Sequence, residues 1–516
     1  MAWDKEIEDI NRRRALSKAQ GGPEAVARQH EKGRLTIRER IDGLLDAESF
    51  REQGLGAGDA DTQNDGTLKD LTPSNFVLGT GTIDGRRVVV GGEDFTLKGG
   101  SPNASGLRKS LYTEDLALQY RIPLIRLHEG GGGSVAGAGG KGRSTGDPVY
   151  APHRFTSIAK LLGEVPVATA ALGPVAGLPA ARLVSSHFSV MTQNAQVLTA
   201  GPAVVERALG RQLTKEELGG PSVHAKSGVI NNVAETEEEA FAQIRRFLSY
   251  LPDNVYALPP VWNSGDDPMR AEPSLSSIVP KDRRQPFAMR KVLQAVLDTD
   301  SFFEMSRKYG PGLITGLGRL NGHPVGVIAN DCMFYAGAMT AEAAQKLRRF
   351  VDLCNTFHLP VVSFVDEPGF MIGLEAEQAA TIRYGAEALA AVVQSRVPWA
   401  SVIVHKAFGV AAAAHFGPQP YVLAWPSAQN GALPVEGGVA VAFGRQIAKA
   451  DDPDAMRQQL EDQMATSYSP FPRAESFSVH ELIDPSETRS RLTDWIALAW
   501  PNLEHQLGHH TTTMRP

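Results

Sequence analysis

The chain is written twice, and that repetition limits its fold more than any property of its composition. Gly79-Thr-Gly-Thr-Ile-Asp-Gly85 returns as Gly316-Leu-Gly-Arg-Leu-Asn-Gly322, an offset of 237 residues (316 − 79 = 237). At that offset Val88 meets Val325, Asp94 meets Asp331, Pro123 meets Pro360, Glu129 meets Asp366 and Gly132 meets Gly369. A second block follows at 232 (398 − 166 = 232), with Pro166 against Pro398, Gly177 against Gly409, and Val190-Met191 against Val422-Leu423. Self-similarity at a fixed period marks one structural unit built twice, and the five-residue change of offset belongs to a loop between the blocks.

Within each copy the short β-branched runs Val88 to Val90 and Val325 to Ile328 read as strands. Leu107 to Tyr120 and Ala341 to His358 carry helical periodicity, and Ile122 to Leu127 and Leu359 to Val365 are apolar strands entered through proline. The order predicts an α/β fold in tandem duplication, with crossover helices against a sheet. A length of 516 residues suits two such domains. Tyr250 to Pro280, rich in Pro, Asn, Ser and Asp, reads as the linker between domains at 1–265 and 275–516.

With 42% hydrophobic and 21% charged residues, disorder is excluded. A net charge of −6 gives no broad positive field for nucleic acid or an anionic membrane. Cys332 and Cys354 are too few for a disulfide framework or a four-cysteine zinc site, which suits a reducing compartment. Met1 to Leu16 is neither a signal peptide nor a transit peptide, and no apolar run reaches the roughly 20 residues that span a bilayer. The expectation is a cytoplasmic protein.

The 51 glycines concentrate where chemistry is expected. His128-Glu-Gly-Gly-Gly-Gly-Ser134 closes an apolar strand, and its counterpart is Asp366-Glu-Pro-Gly-Phe370. A flexible linker would not sit at the end of a core strand. Glycines there let backbone N–H groups approach a ligand, and a following helix start adds a positive dipole end. A dinucleotide site is poorly supported, because neither half shows Gly-x-Gly-x-x-Gly directly after its first strand and no Gly-Lys-Ser/Thr ending occurs. An oxyanion hole fits better: Gly131 to Gly133 with Gly177-Leu178 in one half, and Gly369-Phe370 with Gly409 to Ala411 in the other.

No acid–base side chain repeats in a catalytic role. Glu129 and Asp366 read as anchors of turn amides, and His187 and Glu206 as structural or surface residues. The 13 histidines make no metal spacing, and no Gly-x-Ser-x-Gly elbow marks a serine nucleophile. Thr36 and Glu39 have capping-box spacing, and Arg34, Arg38 and Arg40 beside them read as a solvated helix face rather than a phosphate site. Two oxyanion sites without a protein base suit an acyl-thioester reaction whose second substrate brings its own base.

Seven segments, in order, extend this reading: Lys32-Gly-Arg-Leu-Thr-Ile-Arg-Glu-Arg-Ile41, Gly173-Pro-Val-Ala-Gly177, Glu217-Leu-Gly-Gly220, Leu248-Ser-Tyr-Leu-Pro252, Phe364-Val-Asp-Glu-Pro-Gly-Phe370, Lys406-Ala-Phe-Gly409 and Ala424-Trp-Pro426. Here the sequence resembles the carboxyltransferase β subunits of biotin-dependent acyl-CoA carboxylases, of the propionyl-CoA and acetyl-CoA type. The resemblance covers nearly the whole chain and implies two crotonase-like domains. It implies an acyl-CoA thioester held at Gly131, Gly132 and Gly133, with Gly177 and Leu178 beside it, and the biotin ureido oxygen held at Phe370 and Ala411, with Gly409, Val410 and Ala413 nearby. It further implies carboxybiotin arriving on a biotin carboxyl carrier subunit, a biotin carboxylase partner, and a homohexamer built as three dimers.

The chain departs from the family in its excess glycine up to Gly146, in Val410 for glycine, in Pro179 for alanine, and in Glu367 where an apolar residue is common. Pro179 has no N–H to donate. Ala413 matches a position that sorts acyl chains, and Ala412 to Ala414 suggest a roomier apolar pocket. The altered turns leave two alternatives: a biotin-independent acyl-CoA decarboxylase, lyase or hydratase, and a non-catalytic CoA-ester-binding scaffold.

Overall fold

The computed structural model describes residues 3–132 and 155–511. They form two compact units, Met1–Ser249 with Asp253–Val255, and Tyr250–Pro252 with Tyr256–Pro516. Among the described residues no helix is long and apolar enough to cross a membrane.

In the first unit the strands are β1 (Arg51–Gln53), β2 (Gly58–Thr62), β3 (Leu68–Pro73), β4 (Phe76–Ile83), β5 (Arg86–Glu93), β6 (Leu124–Gly130), β7 (Val167–Ala176), β8 (Phe188–Thr192), β9 (Gln196–Leu198) and β10 (Asn232–Ala234). β2 and β3 make a separate hairpin, and the others form one sheet in the order β1-β4-β5-β6-β7-β8-β10, with β9 on the end of β7. β4 and β5 are antiparallel, whereas β5 through β8 run parallel. The parallel step needs a crossover, supplied by the Ala104–Tyr120 helix. That helix starts where Asn103 accepts the Gly106 N–H and stops at Arg121 in a left-handed conformation. Its Leu116 and Ala117 pack on Phe76, Leu78, Val89, Leu124 and Val167.

The second unit repeats this plan with β11 (Phe303–Met305), β12 (Leu313–Leu320), β13 (His323–Asn330), β14 (Val361–Glu367), β15 (Trp399–Phe408), β16 (Tyr421–Ala424), β17 (Gln429–Gly431) and β18 (Glu481–Leu482). Sheet order is β11-β12-β13-β14-β15-β16-β18, with β17 on the end of β15. β12, β13 and β14 begin 237 residues after β4, β5 and β6, and the crossover helix Ala341–Thr356 begins 237 after its counterpart. Its cap is Thr340, 237 after Asn103. The second offset holds at β7 and β15 but slips by one further on. Ala168 pairs with Phe188 and Ala400 with Tyr421, so the offset is 232 on one strand and 233 on the next. Val190 therefore corresponds to Leu423, one place from the alignment read off the sequence, because one extra residue lies in the connection after β15.

Two expectations change. The segment after Tyr250 is docked rather than free: Arg319 stacks on the rings of Tyr250 and Trp262, with centroids 4.9 and 4.2 Å from its guanidinium carbon. The arginines around Thr36 are not a solvated face. The capping box is present, but it starts the Ile37–Leu44 helix so that Arg40 points inward with 1% of its surface exposed. Arg40 donates to Glu129 at 2.6 Å, to both Glu237 oxygens at 2.7 and 2.8 Å, and to the Leu172 carbonyl at 3.0 Å. One guanidinium thus joins that helix, β6, β7 and the Glu237–Ser249 helix.

Removing one partner of a buried ion pair leaves an uncompensated charge, which costs about 3–5 kcal/mol. Arg40→Met should lower the unfolding free energy of the first unit by that amount and its denaturation midpoint in proportion, measured by urea unfolding of the full chain. An unchanged midpoint would show that the pair contributes nothing.

Candidate active site

Each unit builds a turn where two neighbouring parallel strands part. β6 and β7 keep register from Leu124 opposite Val167 to His128 opposite Ala171, then resume with Gly130 opposite Val175. Three residues of β7, Leu172 to Pro174, therefore face one residue of β6, Glu129. In the second unit Val365 lies opposite Ile403 and Glu367 opposite Ala407, so Val404 to Lys406 face Asp366 alone. Bulges of this kind end pairing and re-aim the chain.

The repeated carboxylate fills the bulge. Glu129 has no exposed surface, and a Cβ on Gly173 would stand 2.4 Å from its Oε1. Oε2 accepts from Gln29 and Arg40 at 2.6 Å each, and Oε1 from Arg34 at 3.2 Å. The counterpart of Gly173 is His405, and the counterpart of Glu129 is the shorter Asp366, also fully buried. Asp366 Oδ1 accepts the Lys406 N–H at 3.1 Å and lies 3.2 Å from His405 Nδ1. The long acid stands opposite glycine and the short acid opposite histidine. Glu129 therefore anchors arginines, not turn amides as expected, while Asp366 anchors one amide of the bulge.

Beyond the bulge the two strands turn outward side by side. Gly177 has φ +67°, and a Cβ on it would lie 2.8 Å from the Gly132 Cα, so only glycine lets the turns meet. Gly177 is exposed and begins the Leu178–Val184 helix, whose first N–H groups have no intrahelical acceptor. Leu178 is half-buried, and Pro179 is buried at the second helical position. Gly409, φ +64°, begins the Gly409–Ala412 helix in the same way.

The expected donors differ in availability. Gly131 is half-buried and its N–H goes to the Gly99 carbonyl at 3.2 Å, so it is committed within the fold. Its counterpart Pro368 has no N–H at all. The half-buried Gly132 makes no such bond among the described residues, and Gly133 lies outside them. Phe370 is half-buried and bridged to Met339: Met339 N–H donates to Gly369 O at 3.1 Å and Met371 N–H to Met339 O at 2.9 Å. In that pairing the Phe370 N–H points away and has no acceptor among the described residues. Its ring packs on Gly385, where a Cβ would lie 2.4 Å away. Gly409, Val410 and Ala413 are exposed, whereas Ala411 is fully buried. His187 is structural: its Nδ1 accepts the Val167 N–H at 3.0 Å.

Among the described residues no carboxylate at either turn is free to take a proton from a ligand. Glu129 and Asp366 are bonded inside the bulges, and Glu367 is fully buried with its carboxyl raised above the ordinary value by that burial. Sequence reasoning missed the partners, Arg40 with Glu237 and Glu367 with His415, because they are 197 and 48 residues apart and carry no motif.

Two crotonase-like units, each parting its central parallel strands in a bulged turn, define the fold of a carboxyl-transfer enzyme acting on acyl thioesters. The carboxyl transferase domain family model matches residues 28–512, and the chain belongs to that family, as the carboxyltransferase component of a biotin-dependent acyl-CoA carboxylase. It is 34% identical over 503 residues to the propionyl-CoA carboxylase carboxyltransferase subunit of Haloferax mediterranei, covering 95% of each. It is 32% identical over 503 residues to the methylmalonyl-CoA decarboxylase subunit alpha of Veillonella parvula, covering 96% of each. Among solved structures, the transcarboxylase 12S hexamer with methylmalonyl-coenzyme A and methylmalonic acid bound superposes with a TM-score of 0.87 at 30% identity, covering 98% of this chain and 96% of that one.

A methyl group on Gly177 forces a strained backbone, about 1–3 kcal/mol, and pushes the Gly132 amide aside. Gly177→Ala should lower kcat on an acyl-CoA by about 10²-fold, the cost of a displacement near 1 Å. Gly201→Ala, at a position with φ −70° and nothing within 4 Å, should leave kcat unchanged in the same steady-state assay.

Proposed function

We propose that this chain moves a carboxyl group between carboxybiotin on a separate carrier and the α carbon of a short-chain acyl-CoA, with residues 1–265 serving the thioester and 275–516 the biotin. The observation that carries this reading is the bulged amide turn built twice, with every neighbouring carboxylate among the described residues committed. A developing enolate oxygen needs oriented donors more than it needs a side-chain acid. Gly132 and the helix start at Gly177-Leu178 supply them, with Gly131 holding the turn through Gly99. Phe370 and the first turn of the Gly409–Ala412 helix, Ala411 included, hold a ureido oxygen, and the exposed Val410 and Ile372 offer apolar cover for a flat bicyclic ring.

Carboxybiotin, when bound, supplies the CO₂ and the basic nitrogen that the chain itself lacks. The residues at the turns orient the thioester, keep its oxygen charge bound, and expose no carboxylate that would compete for the α proton. Glu367, the departure that favoured a biotin-independent enzyme, is buried and bonded, so it does not act on a substrate directly. Partners follow from the reaction: a biotin carboxylase, a biotin carboxyl carrier subunit and further copies of this chain in a homohexamer, in the cytoplasm where acyl-CoA is held. The exposed Ala413, although it lies in 275–516, stands at the position that the family resemblance assigns to sorting acyl chains. The Haloferax relative's name makes propionyl-CoA the first substrate to try.

With carrier, biotin carboxylase, ATP and labelled bicarbonate, label should enter propionyl-CoA or another member of an acyl-CoA panel. The isolated chain without biotin should turn over none of them. Turnover by the isolated chain, or no labelling of any thioester, would overturn the proposal.

A further inference from the structure

Behind the second turn lies a buried polar network that the transfer reaction does not use. Glu367 has no exposed surface; its Oε1 accepts the Gly369 N–H at 2.9 Å and its Oε2 accepts the Asn330 side-chain amide at 3.0 Å. His415, equally buried, places Nε2 3.5 Å from that Oε2 and Nδ1 2.8 Å from Ser363 Oγ. The His415 carbonyl accepts from Trp399 Nε1 and Ser401 Oγ, both at 2.8 Å. Asn330 accepts the Asp366 N–H at 3.0 Å and donates to Gly337 O at 3.1 Å.

A serine, a histidine and an acid in this order suggest a nucleophilic triad, but burial of all three denies a substrate access. Their reach is toward the backbone instead. The carboxylate holds Gly369, the residue before Phe370. The imidazole lies four residues after Ala411, on the same short helical run. The fold does not demand this pair. At the counterpart of Glu367 the first unit has Gly130, and it forms its bulge and turn without a side chain there. A buried carboxylate–imidazole pair does occur in the first unit, but it is made by Glu93 and His128, 3.2 Å apart, from other positions.

We propose that Glu367, together with His415, is the positioning element of the biotin-side donors, tying the Gly369-Phe370 turn to the helix that begins at Gly409 and so setting the spacing of the Phe370 and Ala411 amides. This rests on the reading of that turn as the biotin side. The groups facing Glu367 are His415 from the run after that helix and Asn330 from β13. On its own strand Asp366 turns into the bulge toward His405 and Lys406. Burial raises the Glu367 carboxyl above its ordinary 4.5. As pH falls through that raised value the carboxylate is protonated, its hold on the Gly369 N–H weakens, and biotin binding suffers.

The test uses the full chain and transfer of labelled carboxyl from methylmalonyl-CoA to free biotin, which gives separate KM values for the two substrates. Glu367→Val should raise the KM for biotin about tenfold, the worth of one hydrogen bond to a charged acceptor, and leave the KM for the CoA ester within twofold. Glu367→Gln, which keeps an acceptor for Gly369, should restore most of the biotin KM and abolish its rise at acid pH. A folded Glu367→Val chain with both KM values unchanged would overturn the inference. Should that variant not fold, the Gln variant decides: an acid limb like that of the wild type overturns it, and its loss supports it. Wild-type chain that carboxylates neither free biotin nor the carrier would instead sink the functional reading on which this rests.

Discussion

Everything specific to this molecule is organised around a carboxylate buried in a strand bulge. Parallel strands in register would run on to their ends together, and no cleft would open between them. Three residues opposite one break that register after His128 and again after Val365. A bulge deep in a sheet exposes polar backbone to the interior, and such groups must find partners. Asp366 answers this in the second unit by accepting the Lys406 amide, and Arg40 in the first by donating to Leu172. In the first unit the answer brings a further charge with it, which explains why a helix from the start of the chain is drawn into the sheet.

The two halves use this device differently. Where β6 ends in Gly130 and is followed by Gly131, β14 ends in Glu367 and is followed by Pro368. The first turn is thus glycine at each described position from Gly130 to Gly132. The second is stiffened by proline, by a carboxylate on Gly369 and by the Met339–Phe370 bridge. Duplication made the frame, and divergence at Gly130 against Glu367 and at Gly131 against Pro368 made the two turns unlike.

Much of this was legible before any coordinates. The offset of 237 marks strand, cap and helix starts alike, because insertions into a core βαβ unit are poorly tolerated and equivalent residues stay in step. The second offset, 232, failed by one residue at β16, beyond a surface connection where a single insertion costs little. The arginines near Thr36 were misread for a physical reason: a charged residue on a short amphipathic helix is usually solvated, and only the distant Glu129 and Glu237 make Arg40 a core residue. Gly131 reads as a free donor in the sequence because a glycine run does not reveal which amides the fold itself consumes; the Gly99 carbonyl decides that, and it comes from another loop.

The committed state of the acids bears on the chemistry more than their presence does. Deprotonating carbon next to a thioester requires a base near the α carbon and stabilisation of the oxygen across the carbonyl. A free carboxylate beside the oxygen would repel the developing charge, so a site relying on backbone dipoles gains by keeping acids neutralised or turned away. Glu129 is met by Arg34 and Arg40, Asp366 by His405, and Glu367 by three donors or near-donors, and none has exposed surface. The same burial that makes these groups structural leaves the turns with amide hydrogens as their principal chemistry. A site of that kind is built to stabilise an anion, and the described residues set no free carboxylate beside it to oppose the charge.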